Sequence, residues 1–115
     1  DIWILEQPPE QKFISPPDQL AQFTIRGKVV SGLGINKSDH EARESEVTEI
    51  IYRLSELNPR VRILSPDIIL CSKLKCSLDF EGISIYRDDD HLTVSGSRLL
   101  KPLFEDFIRS NKSIN

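Results

Sequence analysis

The 115-residue sequence contains no methionine. A chain without an initiator reads as a processed or excised product, with part of the parent protein expected outside it. It also has no run of about 18 apolar residues, so no membrane-spanning helix is expected. Asp1 opens the chain with no basic stretch ahead of an apolar core, so no secretory signal peptide is read there. Internal repeats and low-complexity tracts are missing. So is any basic excess: 15 lysine and arginine residues stand against 18 aspartate and glutamate, for a net charge of -3 and a pI near 5.4. That balance argues against nucleic-acid binding, which calls for a basic stripe, and against basic attachment to a membrane surface. Apolar residues make up 38%, low for a compact globule, yet they are spread along the chain, which argues against global disorder. The length fits one domain or a piece of one.

Only two cysteines occur, Cys71 and Cys76, spaced C-x4-C. A bridge between them is feasible in a turn and would add about 2 kcal/mol in the loop-entropy model. It would imply an oxidising compartment. Two unpaired structural thiols are the plainer alternative. Zinc is a third, but the order His40, Cys71, Cys76, His91 matches no common finger spacing.

Along the chain, Ile2 to Leu5 reads as a short buried strand that runs into Pro8-Pro9 and an extended exit. A short helix is expected between Asp18 and Phe23, with Asp18 as N-cap. Gly27 to Ser38 holds three of the five glycines and reads as a loop or short hairpin. The clearest helix starts near Ser38 or Asp39, where Ser38 and Glu41 have capping-box spacing. Val47, Ile50, Ile51, Leu54 and Leu57 share one face of it, and Pro59 ends it by Asn58. Val61 to Leu64 then reads as a strand, which suggests an α/β architecture with a mainly parallel sheet. A single helical turn is expected at Pro66 to Leu70, and a small hairpin around Gly82 between Leu78 and Tyr86. The last helix runs from about Val94 to Ile108, with Thr93 as N-cap and a kink or restart at Pro102. The tail from Ser110 is expected to fray.

The stretch that carries chemistry is Tyr86-Arg87-Asp88-Asp89-Asp90-His91-Leu92-Thr93. In a tight turn, a carboxylate three residues before a histidine can hold one ring nitrogen. That fixes the tautomer and leaves the other nitrogen free as a base toward a serine. Two other readings of the same residues stay open: a solvated acidic turn, and a divalent cation held by the carboxylates. His40 lies in the polar run Lys37-Ser38-Asp39-His40-Glu41 and is expected to face solvent.

The block Cys71-Ser72-Lys73-Leu74-Lys75-Cys76, followed by Ile85 to Thr93 and Gly96, resembles the C-terminal end of SGNH hydrolase domains. It is most similar to the version fused to bacterial membrane acyltransferases of family 3, which O-acylate cell-surface polysaccharides. Ile2-Trp3-Ile4-Leu5-Glu6-Gln7-Pro8-Pro9-Glu10 is similar to a core strand of that fold ending in a proline-containing loop. The resemblance implies an α/β, three-layer, flavodoxin-like fold. It implies His91 as general base, Asp88 as its orienting partner, Asp89 and Asp90 as turn residues, and Tyr86 and Arg87 as loop supports.

The family's Gly-Asp-Ser block has no counterpart here. Gly34-Ile35-Asn36 has the form of the asparagine block but follows the proline loop instead of preceding it, and reads better as a glycine-rich surface loop. Ser95 and Ser97 flank Gly96 at a helix start without a nucleophile elbow. Residues 1–115 are therefore expected to be the C-terminal portion of one SGNH-like domain, with the nucleophile-bearing portion outside them.

The implied activity is transfer or hydrolysis of acyl esters, acetyl foremost, on cell-surface polysaccharide. The partners would be a glycan acceptor and an acyl donor delivered through a membrane acyltransferase domain. The site would be periplasmic or extracytoplasmic, tethered to the inner membrane, with no cofactor, no metal and no nucleic acid. Self-association or pairing with the missing half-domain is expected. The competing reading is a non-catalytic binding or structural module that keeps half of the fold.

Overall fold

A computed structural model describes residues 1–28 and 32–112. Ile2–Leu5 forms β1 and carries the only tryptophan. The two consecutive prolines Pro16 and Pro17 then open α1, Pro16–Ile25. Here the expected start at Asp18 is corrected: proline lacks an N–H, and the first helical positions have no use for one, so the pair initiates the helix. Asp18 is not the cap; its carboxylate accepts a hydrogen bond from Ser15 Oγ at 2.8 Å.

Ile35–Asn36 forms β2, and α2 follows at once as Lys37–Leu57. The expected capping box does not form: Asn36 is the N-cap, and its amide donates to Asp39 Oδ2 at 3.2 Å. Residues 29–31 of the expected glycine-rich loop lie outside the described residues. Val61–Leu64 is β3, and Asp67–Leu70 is the single helical turn α3. Lys75–Cys76 is β4, and Asp79–Phe80 with Ile83–Ser84 make the hairpin β5–β6. Its turn needs positive φ at Glu81 and Gly82, 51° and 82°, the two-residue geometry that suits hairpin twist. Val94–Leu99 is α4, and after a break at Leu100 the chain restarts as α5, Lys101–Lys112, with Pro102 in its first turn. Residues 110–112 thus continue the helix where fraying was expected; 113–115 lie outside the described residues.

The protein is mixed α/β around a small parallel sheet. β1 pairs in parallel with β3, from Ile2 opposite Val61 to Leu5 opposite Leu64. β2 pairs antiparallel with β4. The buried core gathers Leu20, Leu70, Leu78, Ile85, Tyr86 and Leu100, with Phe13, Leu92 and Leu103 packed against it. It lies under the second half of the chain, so α1, the hairpin and α4 form its walls. On the other side, Trp3 meets Phe107 edge-to-face with centroids 5.3 Å apart, which docks α5 on β1.

The apolar stripe of α2 does exist, but Val47, Ile50, Leu54 and Leu57 are exposed. Each keeps about half or more of its surface open, while Ile51 on the same stripe is half-buried. The outcome is an elongated body of 53 × 31 × 21 Å with a radius of gyration of 16.0 Å. About 13 Å would be usual for this length.

Candidate active site

The turn that carries the dyad is built on two anchors. Tyr86, fully buried, bridges to Leu92, and the Arg87 N–H donates to the His91 carbonyl at 2.8 Å, closing the loop between them. Behind it, Thr93 Oγ1 donates to Ser84 O at 2.8 Å and accepts the Gly96 N–H at 3.0 Å. The expected N-cap is therefore formed, and it also pins the start of α4 to β6. Gly96 is buried, and a Cβ there would overlap the Ile85 carbonyl. Absence of a side chain is what lets α4 come this close to the end of the hairpin.

Within the turn, Asp88 Oδ1 accepts the backbone N–H groups of Asp90 at 3.1 Å and His91 at 2.7 Å. His91 Nδ1 lies 3.0 Å from both oxygens of Asp88. It also lies 2.8 Å from Asp90 Oδ1. Asp90, which the resemblance leaves as a plain turn residue, thus shares the imidazole with Asp88. Both carboxylates meet Nδ1, so the proton of the neutral ring belongs on Nδ1 and the lone pair on Nε2. The His91 side chain is 61% exposed. No hydrogen bond joins its Nε2 to a serine among the described residues.

Charge follows the geometry. Desolvation, the largest single influence, pushes the Asp88 carboxyl up, but the N–H groups of Asp90 and His91, with the imidazole and the Asp90 side chain, together outweigh it and hold it at about 2. The hydrogen bond that its Nδ1–H donates to Asp88 raises His91 above its usual 6.5, and the charges of Asp88 and Asp90 add to this; desolvation and Arg87 oppose it. Burial pushes the Tyr86 phenol up to about 12, although the neighbouring Gln11 side chain draws it down. Among the described residues the Tyr86 hydroxyl has no hydrogen-bond partner.

Asp88, Asp90 and His91 bring ligand atoms within 4.8 Å of one another. The hydrogen bonds to Nδ1 account for that convergence without an ion. All three groups are open to water, unlike a closed coordination shell. Cys71 and Cys76 are joined in a disulfide, with their Cα atoms 3.9 Å apart.

His40 corrects an expectation. It is only 3% exposed, and its Nε2 lies 3.0 and 2.9 Å from the two oxygens of Asp67. The polar sequence around it suggested solvent, but a partner 27 residues further on pulls it in. Its Nδ1 is buried without a partner among the described residues, so this second Asp–His pair offers no nitrogen to an outside substrate. Gly34-Ile35-Asn36 is corrected as well. Gly34 and Ile35 are buried against β4 instead of lying in a surface loop, and the Asn36 amide is spent on Asp39. A cavity of about 740 Å³ opens between β3, the end of α2 and α5, beside Trp3, Val61, Leu103 and Arg109. It does not reach the dyad.

The family model for the SGNH domain (fused to AT3 domains) matches residues 1–106. The chain belongs to this family. As an SGNH domain it is of the acyltransferase or esterase kind. The fusion to AT3 domains points to a membrane-associated parent, while no helix among the described residues is long and apolar enough to cross a membrane. No curated protein and no solved structure gives a significant match. In this SGNH domain the one exposed histidine clamped by carboxylates is His91, and the disulfide hairpin stands before it in the chain.

Proposed function

We propose that residues 1–115 form the C-terminal portion of an SGNH domain and supply the Asp88–His91 arm of a Ser-His-Asp triad. The serine comes from a segment of the parent protein outside these residues. The reaction is acyl transfer, with acetyl esters of cell-surface polysaccharide as its substrates, carried out on the periplasmic side beside a membrane acyltransferase domain.

The serine oxygen attacks the acyl carbonyl while His91 Nε2 takes its proton. The tetrahedral intermediate collapses to an acyl-serine, and the imidazolium returns the proton to the departing alkoxide. A glycan hydroxyl, or water in the hydrolytic direction, then gives its proton to Nε2 as it attacks the acyl-serine; the second tetrahedral intermediate collapses by breaking the acyl–serine bond, and the imidazolium returns the proton to the serine oxygen. Asp88 and Asp90 steady the ring each time it becomes an imidazolium. The observation that carries this reading is the clamp on Nδ1 alone, which leaves Nε2 of an exposed ring for an outside hydroxyl.

A fluorophosphonate probe tests it. The longer protein is expected to label and the 115-residue chain is not. In the longer protein, His91→Ala is expected to abolish labelling and turnover; unchanged values would remove the assignment. The second reading, a non-catalytic module, is favoured by the lack of any serine bonded to His91 among the described residues. It predicts that the longer protein does not label at all.

A further inference from the structure

Gln11 lies in the extended segment after Pro8-Pro9, where no periodicity marks it, and yet it is 3% exposed. Its side chain is bonded at both ends. Nε2 donates to the Cys76 carbonyl at 3.2 Å and, at the limit of range, to the Ser77 carbonyl at 3.5 Å. Oε1 accepts the Ile35 N–H at 2.9 Å. The backbone N–H of the same residue donates to the Asp89 carbonyl at 2.7 Å. Asp89 stands between the two members of the dyad, so one buried residue ties the catalytic turn to both strands of the β2–β4 pair.

That pair is a firm support. Cys76 is fully buried and bridged to Cys71. Gly34 packs so closely on it that a Cβ would overlap the Cys76 carbonyl. A side chain bonded in opposite directions fixes the position and rotation of its own backbone, and here that backbone holds the turn.

We infer that Gln11 is a positioning residue, which suspends the Asp88–His91 turn from the disulfide-closed hairpin and sets where His91 reaches. The catalytic consequence rests on the proposed function; the geometry does not. Gln11→Ala removes the suspension. Gln11→Glu keeps the volume and the acceptor for Ile35 but loses the donor to Cys76.

The test is heteronuclear NMR of the two imidazoles of the 115-residue chain at one fixed pH, with Asp88→Asn as reference. In both Gln11 variants the His91 ring-nitrogen shifts are expected to move toward those of Asp88→Asn. The His40 shifts, reporting the fold around α2, are expected to stay. Unmoved His91 shifts in a folded variant overturn the inference. Loss of both histidine environments in both variants overturns it too, in favour of a purely structural amide. In the longer protein, Gln11→Glu is expected to lower kcat about tenfold or more with KM little changed, as misplacement of a catalytic group does; an unchanged kcat counts against it. If Asp88→Asn leaves turnover intact, the triad reading fails, while the NMR arm still decides on Gln11.

Discussion

Replacing Gly34 with alanine isolates one close approach in the molecule. Gly34 is not among the glycines with positive φ, so alanine meets no backbone penalty there and the whole effect is one of space. The new Cβ would overlap the Cys76 carbonyl oxygen, and would lie 2.7 Å from its carbon and 3.1 Å from Ser77 Cα. Ordinary van der Waals contacts sit at about 3.5–4.0 Å, and the overlap with the carbonyl oxygen is the deepest, so β4 has to retreat by considerably more than about 1 Å. Because the opposing atoms are backbone, no flexible side chain can yield instead. The retreat strips the Gln11 bond to Cys76 and the short β2–β4 ladder, about three hydrogen bonds at about 1 kcal/mol each. Residual overpacking adds about 1–3 kcal/mol. The expected destabilisation is therefore about 4–6 kcal/mol, against a total of about 5–15 kcal/mol for a typical domain. Urea unfolding followed through the fluorescence of Trp3 measures it. Gly27→Ala is the control: φ is +67° with nothing within 4 Å of the added carbon, so only backbone strain of about 1–3 kcal/mol applies. A Gly34→Ala loss below about 1 kcal/mol would refute the reasoning.

The raised His91 and the lowered Asp88 make pH predictions of definite sign. His91 must be neutral to act as a base, so the acid limb of the longer protein's kcat/KM profile is expected above 6.5. Asp88→Asn is expected to bring it down while lowering the plateau. The His91 contribution to the turn is fully present below 6.5 and fades as pH rises through the raised folded value. That of Asp88 is present above 3.8 and is lost as pH falls toward about 2. Amide protection factors at His91 are therefore expected to peak between those limits. Thr93→Val removes the cap on Gly96 and the donor to Ser84, and about 1–2 kcal/mol should go with it, whereas Thr93→Ser should keep the cap. His40→Ala leaves a cavity and an uncompensated Asp67, for an expected loss of about 2–4 kcal/mol in urea; a neutral outcome would deny the pair any role in the fold.

Features set by neighbours in sequence were legible before the structure. The strand β1, though not its expected burial, since Ile2 and Leu5 are exposed, together with β3, the turn at Asp67–Leu70, the hairpin at Gly82, the Thr93 cap and the break before Pro102, follows from local rules. The dyad belongs here, since a spacing of three in a tight turn brings Asp88 to His91. Asp90 did not emerge in the same way, because whether an adjacent side chain reaches the same nitrogen depends on the turn's backbone. His40 was misjudged because its partner, Asp67, is distant in sequence. The α2 stripe shows a related limit: periodicity states which residues share a face, but not whether anything lies against it. Proline taken as a breaker hid the first turn of α1, where its missing N–H is an advantage. Gln11 left no trace, since an isolated amide in an extended segment follows no pattern.

The register of the parallel pair has a consequence during synthesis. Ile2 is matched with Val61 and Leu5 with Leu64, so the first strand leaves the ribosome long before its neighbour. At about 5–20 residues per second, roughly 3–12 s pass while that apolar segment waits unpaired. Chains cut short ahead of residue 61 never meet their mate. Such nascent fragments would be natural clients for chaperones and proteases, and slower translation would lengthen the hazard.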